Sequence, residues 1–260
     1  MRTDPTPAAR LTACCLLLLT GAAAADPRPN TVTSPIAAAL ADPDRPPEQT
    51  AADAARHPGA LLAFAGVTRG AHVADFMSGG AYFTRLFSRL VGPGGRVYAF
   101  LPEEELRNCA PAETAGTRLI EHDTRYANVT VLTAPVAEFR APEPLDLVWT
   151  SLNFHDLYDS FMGPADVPRV LHALYAALRP GGVLVVMDHA AQAGSGTRDT
   201  ETLHRIDPAV IVSAAEAAGF RLEARSAVLR NRADAHTLRV FDPAIRWHTD
   251  QVVLKFRKPR

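Results

Sequence analysis

Between residues 71 and 102 the hydrophobic pattern changes from that of a strand to that of a helix and back. A short apolar run over Ala71–Phe76, with Asp75 near its end, precedes the glycine pair Gly79-Gly80. The next apolar positions have helical spacing and are Tyr82, Phe83, Leu86, Phe87, Leu90 and Val91. A glycine-rich turn then leads into a β-branched and aromatic run at Val97–Phe100. This order predicts a right-handed βαβ unit with parallel strands.

The rest of the chain repeats the alternation of strands and helices. The continuous apolar run Leu145–Ser151 is typical of a parallel strand covered on both faces. Further strands are predicted over 128–132, 183–187, 220–228 and 251–256, and further helices over 50–65, 103–106, 112–122, 166–178 and 207–219. These elements predict an α/β fold with a doubly wound, mostly parallel seven-stranded sheet and an N-terminal helical extension.

The turn at Gly79-Gly80 is the first candidate ligand site. A strand that leads directly into a helix points backbone N–H groups and the positive helix end at whatever lies there. Glycine lets a ligand approach that backbone closely, and the Asp75 carboxylate can accept a hydrogen bond from a ligand amine or hydroxyl. Open α/β sheets bind small molecules in such a crevice.

Polar side chains also follow the predicted fourth and fifth strands. Asn153, His155 and Asp156 come after the fourth strand, and Asp188-His189 comes after the fifth. Because the carboxyl ends of the first, fourth and fifth strands lie side by side in a doubly wound sheet, these groups are predicted to surround the crevice. A turn-stabilising role for Asn153 and a purely structural His155–Asp156 pair are open as alternatives.

The segment Thr197–Pro208 follows the fifth strand and can fold over the same opening. It carries His204 and Arg205, which we predict to bind substrate. A solvated helix start would account for these two residues equally simply.

Composition narrows the class of partner. The chain has 47% apolar and 21% charged residues and a net charge of −1, with no basic cluster. We therefore do not expect nucleic acid as a partner. We expect a small molecule instead. No pattern in the sequence specifies the oligomeric state.

The N-terminus has the organisation of an export signal. Arg2 and Arg10 precede an apolar run, and small residues lead up to Ala25. That run is too short to span a bilayer comfortably, so we predict cleavage and an exported, periplasmic protein without stable membrane insertion; an uncleaved short anchor is the alternative. Residues 26–49, rich in Pro, Ala and Asp, are predicted to be a loose linker, and residues 50–260 the domain.

Several phrases in the chain resemble a known family. Ala71–Pro102 is similar to the first, nucleotide-binding motif of class I S-adenosylmethionine (SAM)-dependent methyltransferases, roughly D-x-G-x-G-x-G. The likeness runs from about Leu61 to the C-terminus and is strongest to an exported branch of predicted methyltransferases. The phrases that carry it are Gly79–Thr84, Asn153–Tyr158, Leu178–Leu184, Asp188-His189, Leu203–Pro208 and Phe241–Arg246.

The resemblance implies that SAM is the cofactor and that the last two strands form an antiparallel pair. The implied cofactor contacts are Asp75, Ser78, Gly79, Gly80, Tyr82 and Glu103. The chain also departs from the pattern, because Met77 and Ala81 stand at glycine positions. Leu101 and Ala134 stand where acidic residues usually hold the ribose and the adenine, and Glu103 is the acidic residue two positions after Leu101.

These observations favour a SAM-dependent methyltransferase that acts on a small-molecule acceptor of unspecified identity. The predicted catalytic residues are His155, Asn153, Asp188 and His189, and the predicted substrate-binding residues are Asp156, His204 and Arg205. In this hypothesis His155 accepts the proton of the nucleophile.

Two alternatives stay open. One is a methyltransferase-like scaffold that binds another ligand outside the cytoplasm without methyl transfer, which fits the export signal and the missing acidic residues. The other is a metal-assisted hydrolase that uses O and N ligands. Its ligands would be His155, Asp156, Asp188, His189 and His204. Since no fixed ligand spacing supports a metal centre, we predict no metal site.

Overall fold

One sheet organises the described part of the chain. The computed structural model describes Met1 and residues 34–260, so the rest of the predicted export signal and residues 26–33 lie outside the described residues. The strands are β1 His72–Phe76, β2 Arg96–Pro102, β3 Val129–Ala134, β4 Leu145–Ser151, β5 Leu178–His189, β6 Arg221–Ser226 and β7 Gln251–Arg257. Their spatial order is β3-β2-β1-β4-β5-β7-β6.

The strand directions confirm the predicted fold class. Strands β1 to β5 pair in parallel, and β7 runs antiparallel to β5 and β6. The chain order reverses at β1, which has β2 on one side and β4 on the other, so a crevice at its carboxyl end is a topological switch point. Strand β5 begins earlier than predicted, because Leu178 already pairs with Leu145 across an irregularity in the ladder.

Helices flank the sheet, and their start signals coincide with the apolar periodicity. They are α1 Pro35–Leu40, α2 Pro47–Ala51, α3 Asp53–Arg56, α4 Pro58–Ala65, α5 Tyr82–Val91, α6 Glu103–Asn108, α7 Pro111–Ile120, α8 Val167–Ala177, α9 Thr200–Leu203 and α10 Pro208–Ala217. The Asp207 side chain caps α10 by accepting a hydrogen bond from the N–H of Ala209 (2.9 Å). Within residues 34–260 no helix combines the length and apolar character needed to cross a membrane.

The N-terminal part differs from the prediction in two ways. The predicted continuous helix over 50–65 is divided, because His57 adopts a left-handed conformation (φ 45°) before Pro58. Where a loose linker was predicted, residues 34–49 contain helix α1 and the start of α2, separated by a turn over 41–46, and proline starts both helices. Ion pairs of Arg89 on α5 with Asp42 (2.5 Å) and Asp44 (2.6 Å) hold this segment in place.

Apolar side chains cover both faces of the sheet. Leu171 of α8 and Ile211 of α10 are fully buried on one face. On the other face Leu61 of α4 and Phe87 of α5 pack in the cluster that contains Trp149 of β4. This double cover fixes the carboxyl ends of β1, β4 and β5, where the polar residues stand.

Candidate functional site

Two adjoining cavities open at the carboxyl ends of β1, β4 and β5. The smaller, about 360 Å³, is lined by the turn after β1 and is called here the glycine cavity. The larger, about 760 Å³, is lined by residues after β4 and β5 and is called the histidine cavity. Arg56, Glu105 and Trp247 line both. Each volume lies within the roughly 300–1,000 Å³ usual for small-molecule sites.

The turn after β1 holds two non-glycine residues in a left-handed conformation. Met77 and Ala81 both have φ 60°, and Gly79 between them has φ 49°. A non-glycine residue in this region costs about 1–2 kcal/mol. The side-chain amide of Asn153 donates to the Met77 carbonyl (2.7 Å), so the predicted catalytic residue Asn153 supports this turn while it lines the glycine cavity.

Gly80 presents its backbone to the glycine cavity. A Cβ at Gly80 would meet no atom within 4 Å, whereas a Cβ at Gly116 of α7 would clash with the Gly80 carbonyl. Helix α7 therefore closes one side of the turn and leaves the other open to a ligand. The Ser78 hydroxyl lies 3.0 Å from the Thr117 hydroxyl, so Ser78 lines the cavity and also fixes this packing.

Two buried carboxyl groups face the glycine cavity. The Thr84 hydroxyl donates to Oδ2 of Asp75 (2.6 Å), but burial outweighs that bond and raises the pKa of Asp75 to about 7. Burial, reinforced by nearby carboxylates including Asp156, raises the pKa of Glu105 to about 8. A cation in the cavity would favour the ionised form of both groups.

Four buried polar atoms of residues that line this cavity form no hydrogen bond within the described part of the chain. They are Gln49 Oε1, Arg56 Nε, Glu105 Oε2 and Thr114 Oγ1. A buried polar group without a partner costs about 1–3 kcal/mol. The cavity therefore suits a ligand that brings hydrogen-bond donors and acceptors of its own.

The remaining predicted cofactor residues divide into one that lines the cavity and one that does not. Tyr82 lines it, and its hydroxyl donates to Asp53 (2.6 Å). Glu103 lines neither cavity and faces Arg107 at the surface (3.5 Å), so its position does not support a ribose contact. Because α6 begins directly after β2, the phase of this helix turns Glu105 inward and Glu103 outward.

In the histidine cavity, His155 is held on both sides of its ring. Its backbone N–H (2.7 Å) and its Nδ1 (2.8 Å) both contact the Asp188 carboxylate. Its Nε2 lies 3.1 Å from Asp156 Oδ1 and 3.2 Å from His204 Nδ1. Burial lowers the pKa of His155, but Asp188 and Asp156 outweigh it and raise the pKa well above its usual value. An imidazole that keeps its proton between two carboxylates is not a free base, so this geometry does not support the predicted role.

The two predicted residues at the end of β5 serve different purposes. Asp188 is fully buried and also accepts the N–H of His189 (2.7 Å), so it positions His155 and does not face the cavity. His189 lines the histidine cavity, with Nδ1 2.8 Å from the Thr249 hydroxyl. Burial and the charge of His155 lower the pKa of His189 well below its usual value, which keeps this imidazole neutral.

Asp156 and His204, both predicted to bind substrate, line the histidine cavity together. Burial alone would raise the pKa of Asp156, but His155 and His204 hold it below its usual value. Nε2 of His204 accepts a hydrogen bond from the exposed Arg239 (3.0 Å). The two predicted residues therefore present one carboxylate and one imidazole to the cavity.

Arg205 lies outside both cavities. Its side chain is fully buried, pairs with Asp234 (2.8 Å) and donates to the carbonyls of Ala190 (3.0 Å) and Leu238 (2.9 Å). These contacts account for its donors structurally, so the position of Arg205 does not support substrate binding. His204 has a left-handed backbone (φ 52°) where α9 ends, and this turns neighbouring side chains in different directions.

Sequence reasoning missed five residues that the site uses. No local signal marks Arg56 or Arg239, Trp247 directly follows the phrase Phe241–Arg246, and Glu105 lies two positions after the predicted Glu103. The fifth, Asp159, follows Asp156 by three residues and comes directly after the 3-10 turn His155–Tyr158. That spacing is a signal that the sequence does contain.

No protein-family model matches the chain, and no curated protein is similar to it in sequence. Solved structures are similar in fold. A SAM-dependent methyltransferase from Aquifex aeolicus has a TM-score of 0.53 and 16% identity, covering 77% of this chain and 89% of that chain. One from Mesorhizobium loti has a TM-score of 0.52 and 18% identity, covering 78% and 97% respectively.

The cyclase SpnF is also similar, with a TM-score of 0.56 and 15% identity, covering 79% of this chain and 81% of that chain. Its description as a cyclase means that the fold by itself does not define the reaction. With the glycine turn at the switch point of a β3-β2-β1-β4-β5-β7-β6 sheet, the chain has the Rossmann-like fold of the SAM-dependent methyltransferases.

Proposed function

We propose that this protein binds SAM in the glycine cavity and transfers its methyl group to a small molecule in the histidine cavity. The observation that carries the proposal is that the two cavities adjoin at one crevice and share Arg56, Glu105 and Trp247. Two reactants held side by side react without the entropic cost of a chance encounter. Bound SAM would supply an electrophilic methyl group that needs no further activation.

The polar residues of the glycine cavity fit the amino-acid end of SAM. Its ammonium group suits Asp75 and Glu105, whose pKa values are raised chiefly by burial. Its carboxylate suits Arg56, whose buried Nε has no partner within residues 34–260. The open face of Gly80 permits close approach of the ligand to the backbone.

The nucleoside end fits less closely. Leu101 and Ala134 offer no carboxylate at the ends of β2 and β3. The Glu104 carboxylate, the acidic group nearest in sequence after Glu103, accepts the N–H of Val136 after β3 (3.0 Å). The fit to SAM therefore depends on the amino-acid end.

On the acceptor side, His189 is the candidate proton acceptor. It lines the histidine cavity with a neutral imidazole. Its lowered pKa makes it a weak base, which would hold the proton of the acceptor only transiently. Asp156, kept ionised by its two histidine neighbours, can accept a hydrogen bond from the acceptor and orient it.

Substitutions at two glycines, Gly80 and Gly94, provide the test. Gly80→Ala adds a methyl group that meets nothing in the protein but lies where the ligand would approach. Gly94→Ala is the matched control, since its Cβ also meets no atom within 4 Å and Gly94 lies outside the glycine cavity. Calorimetric titration of the full chain with SAM should show binding that Gly80→Ala weakens and Gly94→Ala leaves unchanged. Absence of SAM binding by the wild-type chain at millimolar concentration would contradict the proposal.

The Glu104–Val136 contact favours a second candidate, a binding protein of the same fold that does not transfer methyl groups. In this contact Glu104 occupies the N–H of Val136, a backbone donor beside the position expected for the nucleoside of SAM. Export, which is predicted from residues 1–25, would also separate the protein from cytosolic SAM. Native mass spectrometry separates the candidates. A co-purifying ligand other than SAM or its demethylated product supports the second, and either of those two molecules supports the first.

A further inference from the structure

Four side chains after β4 and α9 bring together the atoms of a metal-binding site. They are His155, Asp156, Asp159 and His204, and one ligand atom from each lies within 4.8 Å of all the others. We propose that these four side chains bind one divalent transition-metal ion at the wall of the histidine cavity. This inference goes beyond methyl transfer and does not depend on it.

The distances match those between the ligands of one ion. His155 Nε2 lies 3.1 Å from Asp156 Oδ1 and 3.2 Å from His204 Nδ1, and the last two atoms are 3.9 Å apart. Ligands about 2.0–2.2 Å from a tetrahedral zinc ion are about 3.3–3.6 Å from one another. Only small side-chain movements would complete the coordination.

Asp159 supplies the independent evidence. Its side chain is almost fully buried, and neither carboxylate oxygen has a hydrogen-bond partner within the described part of the chain. The Thr200 hydroxyl donates to the Thr197 carbonyl (3.1 Å). Thr200 also offsets part of the effect of burial, which raises the pKa of Asp159. A buried carboxylate without a donor is strongly unfavourable, and a bound cation directly accounts for one that points into a cluster of ligands.

Asp188 completes the arrangement from behind. A metal-bound histidine commonly donates its other ring N–H to a carboxylate, which fixes the tautomer and the ring orientation. Nδ1 of His155 contacts Asp188 at 2.8 Å, so a metal ion would take the place of the proton on Nε2, the atom that lies beside Asp156 and His204. Asp188 therefore acts as a positioning residue for His155.

The donor set indicates the class of ion and its access. Two imidazoles and two carboxylates suit zinc, manganese, iron or cobalt better than calcium, which prefers oxygen ligands alone. Two carboxylates also balance a charge of +2. Three of the ligands line the histidine cavity and Asp159 does not, so an ion would enter from the cavity, with Asp159 on its far side.

One contact competes with the metal. Arg239 donates to Nε2 of His204 (3.0 Å), whereas a metal ion on Nδ1 requires Nε2 to carry a proton. The Arg239 side chain is exposed and can move away. Removing this cation with Arg239→Met should therefore strengthen metal binding.

The test uses the full chain, purified without a polyhistidine tag, treated with chelator and titrated with zinc in the absence of SAM. Calorimetry and elemental analysis should show one zinc ion per chain. Asp159→Asn and His204→Gln should each weaken binding by more than the about 10- to 100-fold expected for Asp188→Asn, which alters only the positioning of His155. His172→Gln, at an exposed histidine of α8, is the matched control and should bind like the wild type.

Substoichiometric zinc in the wild type, or wild-type affinity in both Asp159→Asn and His204→Gln, would overturn the site. Without zinc, Asp159→Asn should melt no lower than the wild type, because the variant lacks the buried charge; a lower melting temperature would count against the unpaired carboxylate. His204 is partly exposed, so His204→Gln keeps the test decisive if Asp159→Asn does not fold. A chain that binds SAM but not zinc would exclude the metal site alone, and the reverse would exclude the proposed function alone.

Discussion

Two regions of this protein place an arginine beside carboxylates, fully buried at Arg205 and partly buried at Arg56, and they differ in whether the charges are paired. Around Arg205 the contacts are complete: Asp234 accepts from the guanidinium and also from the N–H of Asp250 (2.7 Å). In the glycine cavity, by contrast, Arg56 and Glu105 each retain a buried atom without a partner in residues 34–260. Both regions contain buried charged groups. Only in the glycine cavity are some of their polar atoms left without a partner among the described residues, and this distinguishes it as the region that suits a ligand.

The largest expected effect is a difference in the free energy of unfolding between variants of Arg205 and Arg56. Arg205→Met leaves Asp234 buried without its partner, which costs about 3–5 kcal/mol. Arg56→Met removes a guanidinium that forms no hydrogen bond within the described residues and should change the free energy of unfolding far less. Urea denaturation of both variants measures the difference. Equal losses would remove the distinction between the two regions.

The second effect concerns ligand affinity. Asp75→Asn should weaken SAM binding by at least about 30-fold, because truncating one partner of a buried charge pair costs about 2 kcal/mol or more. Calorimetry measures this loss. The same variant should melt higher than the wild type at pH 8 without ligand, since it has no buried carboxylate to ionise. A lower melting temperature would contradict the unfavourable burial of Asp75.

The pH dependence follows from the same group. The pKa of Asp75 is raised to about 7 in the folded protein, so the folded state holds this proton more tightly than the unfolded state. Ionisation therefore removes stability as the pH rises from about 4 to about 7. Binding of a cationic ligand requires the ionised form, so affinity should rise about tenfold from pH 6 to pH 8. In Asp75→Asn the rise should fall to the few-fold change that ionisation of Glu105, with a pKa of about 8, contributes in this range. An unchanged rise in that variant would assign it to another group.

The smallest effect compares two neighbouring glutamates. Glu105→Gln should weaken SAM binding a few-fold, because Glu105 faces both cavities. Glu103→Gln is the matched control and should have no effect, since Glu103 pairs with Arg107 at the surface. Titration of the two variants under the same conditions checks this. If Glu103→Gln weakened SAM binding and Glu105→Gln did not, Glu103 would be the cofactor contact, as the resemblance implies.

The sequence predicted where the cavities lie better than which side chains line them. Gly79, Gly80 and Asp75 line the glycine cavity, as expected for a strand, a glycine turn and a helix that form a local unit. The contact between His155 and Asp188 also follows from the sheet topology, since both residues end neighbouring parallel strands. Glu103 and Arg205 were assigned from their neighbours in sequence, and both lie outside the cavities.

The sequence alone determined the order of the elements, the sheet class and the strand ends where the two cavities open, because these depend on local periodicity and on connection rules. The tertiary structure decided which side chains reach the cavities and which are paired. Arg205 meets Asp234 across 29 residues, and Asp159 lies beside His204 from another segment. Such pairing depends on helix phase and on packing between distant segments, and neither quantity is present in the local pattern.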